Sequence, residues 1–199
     1  MTKFYRIIYT IVAPLIHLLF PCRAVGLEHI PEGGALLCAN HVSGWDPIVI
    51  ALSLPRDSRL TVMAKDQLFR IPVLGFLLKK LGIFPVKRGG NDLTSIKTAM
   101  KVLSGGNRLL VFPEGTRVDE QGEVEAKGGV TMLSTRTGVP MIPVYCGGKH
   151  KFLKKTTIVF GEPYIPEIAG RRPTPEENRG IAAEILDRIY ALQGVNGWK

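Results

Sequence analysis

Short, unbroken apolar runs, each closing on a turn, constrain this chain more than anything else in it. Residues 35–39 read ALLCA, 108–112 read RLLVF and 141–145 read MIPVY. Runs of this length without polar alternation fit strands buried on both faces. Residues 60–63 (LTVM) and 157–160 (TIVF) are shorter examples, 82–86 (GIFPV) also reads as extended, and 23–31 (RAVGLEHIP) reads as a short strand-like piece ending in a turn. Helical segments alternate with them. One covers 47–54, with Asp46 as its expected N-cap and Pro47 at the first helical position. A second opens at Asn91 or Asp92 and puts Ile96, Ala99, Met100 and Leu103 on one face before Ser104-Gly105-Gly106 stops it. A third covers 127–137. The last follows a capping box, Thr174-Pro175-Glu176-Glu177, and runs to about Gln193. The alternation predicts an α/β fold with a mostly parallel central sheet flanked by helices. At 199 residues, the chain has the length of one ordinary domain.

The opening segment is of a different kind. Residues 7–20 read IIYTIVAPLIHLLF, with Lys3 and Arg6 before them and Arg23 after. A membrane-spanning helix needs about 20 apolar residues. This run is shorter and contains Pro14 and His17, and Phe20-Pro21-Cys22-Arg23 lacks the small residues of a leader cleavage site. It is expected to be an N-terminal apolar interfacial helix lying among lipid headgroups. A helix packed on the protein's own core and a short anchor are the other readings of the same run. The expected division is therefore residues 1–22, a membrane-interface helix, and 23–199, the main α/β domain. A second apolar stretch, 67–81, is broken by Pro72 and Gly75 and ends in Lys79-Lys80.

Lysine and arginine number 26 against 17 acidic residues, giving a formal charge of +9. That balance calls for a polyanionic partner: nucleic acid, an anionic membrane or phosphorylated ligands. With no recognition helix, aromatic nucleic-acid motif or zinc spacing, no nucleic acid is expected. A basic protein that only binds lipid or nucleic acid would be the non-enzymatic alternative. Cys22, Cys38 and Cys146 form no C-x-x-C pair and read as thiols in a reducing compartment. No G-x-S-x-G elbow exists, which removes the usual serine hydrolase.

Four segments could carry chemistry. The first is Asn40-His41-Val42-Ser43-Gly44-Trp45-Asp46. A histidine and an aspartate five apart cannot share a helix face, but a loop folding back at Ser43-Gly44 lets the carboxylate reach the imidazole. The aspartate would then fix the tautomer, leaving the other ring nitrogen to take a proton from a hydroxyl. Phe112-Pro113-Glu114-Gly115-Thr116-Arg117 follows a strand, and ligands of parallel sheets bind at such strand ends. Arg117 has the planar fork that clamps phosphate, and Glu114 could meet hydroxyls or hold Arg117. Lys87 and Arg88 leave residues 82–86 into a glycine turn, and Val139-Pro140-Met141-Ile142-Pro143-Val144 could shape a wall. Singly, each has an ordinary alternative: a helix cap beside a loop histidine, a solvated basic turn, a core strand. Pro31-Glu32-Gly33 repeats Pro-Glu-Gly without the phenylalanine and arginine, so the tripeptide alone is only a turn.

In order, the four segments resemble the motif blocks of the glycerolipid acyltransferases, most closely the 1-acyl-sn-glycerol-3-phosphate acyltransferase family. His41 and Asp46 match its H-x-x-x-x-D block. Gly82, Phe84 and Arg88 correspond to its glycine–phenylalanine–arginine block. Residues 112–117 match F-P-E-G-T-R, and 139–143 match V-P-x-x-P. Ala64-Lys65 and Lys127-Gly128-Gly129 are also similar, whereas Val118 stands where a serine is common. The resemblance covers roughly 23–165. It implies direct acyl transfer from acyl-CoA or acyl carrier protein to the sn-2 hydroxyl of lysophosphatidic acid, giving phosphatidic acid. His41 would be the base and Asp46 its orienting partner. Arg88 and Arg117 would hold the phosphate, with Glu114, Gly115 and Thr116 lining that pocket. A loop amide or Lys65 would stabilise the oxyanion. No metal and no resident cofactor are implied. Sister enzymes acylating glycerol 3-phosphate or another lysophospholipid share these blocks. The expected location is the cytoplasmic face of a membrane, at a phospholipid surface.

Overall fold

The computed structural model describes residues 3–58, 60–87, 92–118, 121–148, 152–170 and 172–195. The first element is helix α1 (Lys3–Leu19), followed by strand β1 (Cys22–Val25), a short 3-10 turn and β2 (Ala35–Ala39). Next come α2 (Asp46–Ser53), β3 (Leu60–Lys65), a second 3-10 turn (Asp66–Arg70), α3 (Pro72–Lys80) and β4 (Phe84–Val86). Then follow α4 (Leu93–Ser104), β5 (Arg108–Val111), α5 (Gly129–Thr137), β6 (Met141–Cys146), β7 (Thr156–Phe160) and α6 (Pro175–Ala191).

The seven strands form one sheet in the order β1-β7-β6-β2-β5-β3-β4. Strands β6, β2, β5, β3 and β4 run parallel, with Leu37 opposite Leu110 on one side and Ile142 on the other. β7 is antiparallel to β6, and β1 is parallel to β7. The starts of β1 and β7 therefore lie at the same edge as the ends of the other five strands.

The centre is buried on both faces, as its unbroken apolar runs demand. Leu36, Cys38, Leu109 and Val111 meet α4, α5 and α6 through Leu103, Leu133, Ile185 and Ile189. Leu37, Ala39, Leu110 and Ile142 turn the other way, onto Val49 and Ile50 of α2. The period of two along β2 thus feeds two separate cores. Sequence-predicted elements and structure agree closely. Asp92 caps α4 by accepting from the Ser95 amide, and Thr174 and Glu177 form the complete capping box of α6.

Helix α1 lies on α2. Tyr9 donates its hydroxyl to the Leu54 carbonyl (2.8 Å), and Arg6 pairs with Asp57 (3.3 Å). Ala13 is buried, while Ile7, Ile11, Leu15 and Leu18 stand exposed along the opposite face. One helix thus provides both an own-core contact and a bare apolar stripe. Among the described residues no helix is long and apolar enough to cross a membrane.

Candidate active site

Residues 40–45 leave the end of β2 at the middle of the sheet. Asn40 sets the exit by bonding the backbone of Cys146 twice: its amide nitrogen donates to the carbonyl (3.2 Å) and its carbonyl oxygen accepts from the N–H (2.7 Å). The end of β2 is thereby tied to the end of β6.

The fold-back expected at Ser43-Gly44 is present. His41 Nδ1 lies 2.8 Å from Asp46 Oδ2. Amides of Val42 and Ser43 donate to the same oxygen, each at 2.8 Å. An ionised carboxylate only accepts, so in a neutral ring Nδ1 carries the hydrogen and the lone pair falls on Nε2. Both side chains are buried, with His41 6% exposed and Asp46 fully covered. Three donors hold the carboxylate charge where water cannot. One expectation is corrected here. Asp46 does not cap α2: it is the helix's first residue, Trp45 occupies the cap position, and no side-chain cap bond forms. The carboxylate turns back to the loop because two amides and the ring nitrogen satisfy it there.

Three further contacts fix the histidine. Phe112, at the end of β5, stacks on the imidazole with ring centres 4.1 Å apart. The His41 carbonyl accepts from the Val118 amide (2.8 Å). The His41 backbone N–H donates to Glu114 Oε2 (2.8 Å), and Glu114 Oε1 accepts from the Tyr190 hydroxyl at the end of α6 (2.7 Å). Both oxygens of Glu114 are thus engaged, and the residue is 2% exposed. Burial pushes its carboxyl above the ordinary range, and the bonds from Tyr190 and His41 pull it partly back. In this structure Glu114 braces the His41 backbone; the sequence offered it as a carboxylate meeting substrate hydroxyls or holding Arg117.

Of the remaining residues in 112–117, Gly115 lies beside Lys127 and Arg117 beside the His41 loop. Gly115 has φ +70°, in the left-handed region that favours glycine, and a β-carbon there would lie 3.2 Å from Lys127. A β-carbon at Gly44 would lie 3.3 Å from Arg117 Nη2, so the exposed Arg117 guanidinium rests against the His41 loop. Thr116 is exposed beside it. Lys65 is exposed at the end of β3, two strands from β2, or about 10 Å across the sheet. Arg88 lies outside the described residues. Its neighbour Lys87 is anchored by its amide to Asp92 (2.9 Å). Of the amides from Val42 to Asp46, only that of Gly44 has no acceptor among the described residues.

An apolar cavity of about 280 Å³ opens beside Phe112. Met63, Ile96, Leu110, Val130 and Met132 line it, with Lys87 and Lys127 at polar positions. Neither this cavity nor Tyr190 was legible in advance. Tyr190 is 76 residues from Glu114 and lies on a helix whose pattern announces only a core face.

Known proteins share the fold and most of the sequence span. The acyltransferase family model matches residues 22–147. The chain is 31% identical to the 1-acyl-sn-glycerol-3-phosphate acyltransferase of Bacillus subtilis (strain 168), over 83% of this chain and 85% of that one. It is 29% identical to a chloroplastic enzyme of the same description from Arabidopsis thaliana, over 76% of this chain and 43% of that one. The crystal structure of the 1-acyl-sn-glycerophosphate (LPA) acyltransferase PlsC from Thermotoga maritima superposes with a TM-score of 0.69. That match is 26% identical and covers 99% of this chain and 80% of the other. Fold, motif order, buried His41–Asp46 pair and relatives lead to one conclusion: the chain belongs to the 1-acyl-sn-glycerol-3-phosphate acyltransferase family.

Proposed function

We propose that this protein moves a fatty acyl group from an acyl thioester to the sn-2 hydroxyl of 1-acyl-sn-glycerol 3-phosphate, giving phosphatidic acid. The observation that carries the proposal is the 2.8 Å contact between His41 Nδ1 and Asp46 Oδ2, buried at the strand ends with Arg117 against the same loop. His41 Nε2 takes the proton from the hydroxyl. The resulting alkoxide oxygen bonds to the thioester carbonyl carbon, and the tetrahedral intermediate collapses by breaking the C–S bond. The imidazolium returns its proton to the departing thiolate. Asp46 holds the ring and offsets its transient positive charge. General-base catalysis of this kind contributes about 10²–10⁴-fold.

Arg117 has the fork to bind the substrate phosphate bidentately, with Arg88 as the second cation. Because the Val42 and Ser43 amides are consumed by Asp46, the oxyanion falls to the Gly44 amide or to Lys65. The cavity beside Phe112 suits an acyl chain, since its lining is mainly apolar. The acyl donor, acyl-CoA or acyl carrier protein, is a substrate, and no resident cofactor enters the scheme.

Substrates with such chains reside in bilayers. We propose that the chain works as a peripheral or monotopic protein on the cytoplasmic face of a membrane. The exposed stripe of α1 supports this, as do the exposed Leu68, Ile71, Val73 and Phe76 after β3. The test is a substrate panel in which purified protein meets labelled acyl-CoA or acyl carrier protein with lysophosphatidic acid or glycerol 3-phosphate. Phosphatidic acid from the lysolipid supports the proposal. Product from glycerol 3-phosphate alone overturns the substrate assignment.

A further inference from the structure

The β6–β7 connection, 147–155, carries two large apolar side chains with no core to enter. Phe152 is 64% exposed and Leu153 58%. Leu153 is the one described non-glycine residue with positive φ, at +57°. This region is disfavoured for a branched apolar residue and needs outside support to persist. Support comes from α1: the Leu153 amide donates to the carbonyl of Leu19, the helix's last residue, at 2.8 Å. Three residues on, the Thr156 amide donates to the Pro21 carbonyl at 2.9 Å. The tip is therefore pinned to the end of α1.

Its surroundings continue the same chemistry. Leu18 is exposed, and Phe20 packs at a tilt against Trp45 with ring centres 4.9 Å apart. Trp45 and Ile48 are exposed in turn, directly beside Asp46. An apolar path thus runs from the tip, across the end of α1, to the loop holding His41. The reversed direction of β1 and β7 makes this possible, because it brings their starts to the edge where β2 and β5 end. Lys154 and Lys155 follow the tip and are exposed, and Lys149 and Lys151 precede it in sequence.

We infer that the Phe152–Leu153 tip is a second membrane-insertion element, which enters an anionic bilayer and holds the active-site edge against it. The inference rests on the membrane reading above. Apolar side chains would sit among acyl chains while the flanking lysines reach headgroup phosphates. Charge favours a bilayer over a second copy of this chain, because a protein with a formal charge of +9 repels its like. Area points the same way: a stable dimer needs about 800 Å² per partner, which two tip residues do not supply.

Flotation of the full chain with vesicles of phosphatidylcholine and phosphatidylglycerol tests this. Wild type is expected to float. The double variant Phe152→Ser, Leu153→Ser is expected to bind roughly ten- to hundredfold more weakly. Its turnover of detergent-dispersed lysophosphatidic acid should stay unchanged, since the tip touches no reacting group. Equal flotation of variant and wild type overturns the inference and leaves the membrane reading standing. Failure of wild type to float overturns both. If light scattering shows a wild-type dimer that the variant breaks, with vesicle binding unchanged, the tip is a protein interface and the inference is also overturned.

Discussion

Two neighbouring regions at one edge of the sheet are built by opposite rules. The His41 loop buries polar groups: a carboxylate with three donors, a histidine under an aromatic ring, and a second carboxylate behind it. The flanks of the same edge expose apolar groups, along α1, at the β6–β7 tip and after β3. Each inverts the usual partition of side chains, in which charge faces water and hydrocarbon is covered. The contrast separates two tasks. On the proposed function, buried charge would hold the proton-transfer pair in one geometry, and exposed hydrocarbon would meet a lipid surface.

The largest effect should come from cutting the polar side. Asp46→Asn keeps an acceptor but no longer dictates the tautomer, and kcat should fall by about 10³–10⁴-fold in a steady-state assay. A fall below tenfold would make Asp46 merely structural. Arg117→Ala should raise KM for the lysolipid by about 10–100-fold with a smaller change in kcat, the signature of a lost phosphate clamp.

Tyr190→Phe tests the brace. It strips one donor from buried Glu114 and should lower stability by about 1–3 kcal/mol in denaturant unfolding. The pH dependence has a definite sign. Burial already raises the Glu114 carboxyl in the folded protein, so the native state binds the proton more tightly than the unfolded chain. Stability from this group therefore falls as pH rises from the ordinary glutamate value through the folded value. Removing Tyr190, which holds the value down, should deepen that fall. An unchanged pH profile of unfolding would contradict the brace.

The smallest effect belongs to the apolar side. Ile11→Ser with Leu18→Ser should change unfolding stability in water by less than about 1 kcal/mol, because neither side chain is covered by the protein. A large loss would mean that this face of α1 is packed against protein, and the contrast between the regions would fail.

Legibility in the sequence followed local physics. The strands at 35–39, 108–111 and 141–146 announce themselves because both faces need hydrocarbon, and the caps at Asp92 and Thr174 because they act within three residues. The spacing of His41 and Asp46 on a glycine loop allowed the pair but equally fitted a helix cap beside a loop histidine, and it was the 112–117 segment at another strand end that favoured the pair. The contact between Glu114 and Tyr190 was not legible, because it joins elements 76 residues apart. Asp46 looked like a cap because its position before Pro47 is the usual one for that task. The backbone amides of Val42 and Ser43, four and three residues before it, take the carboxylate instead. The reversed β1 and β7, which bring α1 to the site's edge, likewise follow from sheet order and not from any local pattern.

The central claim is that His41 removes a proton from a bound lipid's hydroxyl. The most direct measurement compares acyl transfer to lysophosphatidic acid by wild type and His41→Ala, both verified as folded by circular dichroism. Loss of at least about 10²-fold in kcat, with the fold retained, is the expected result. Equal rates in the two proteins would contradict the account.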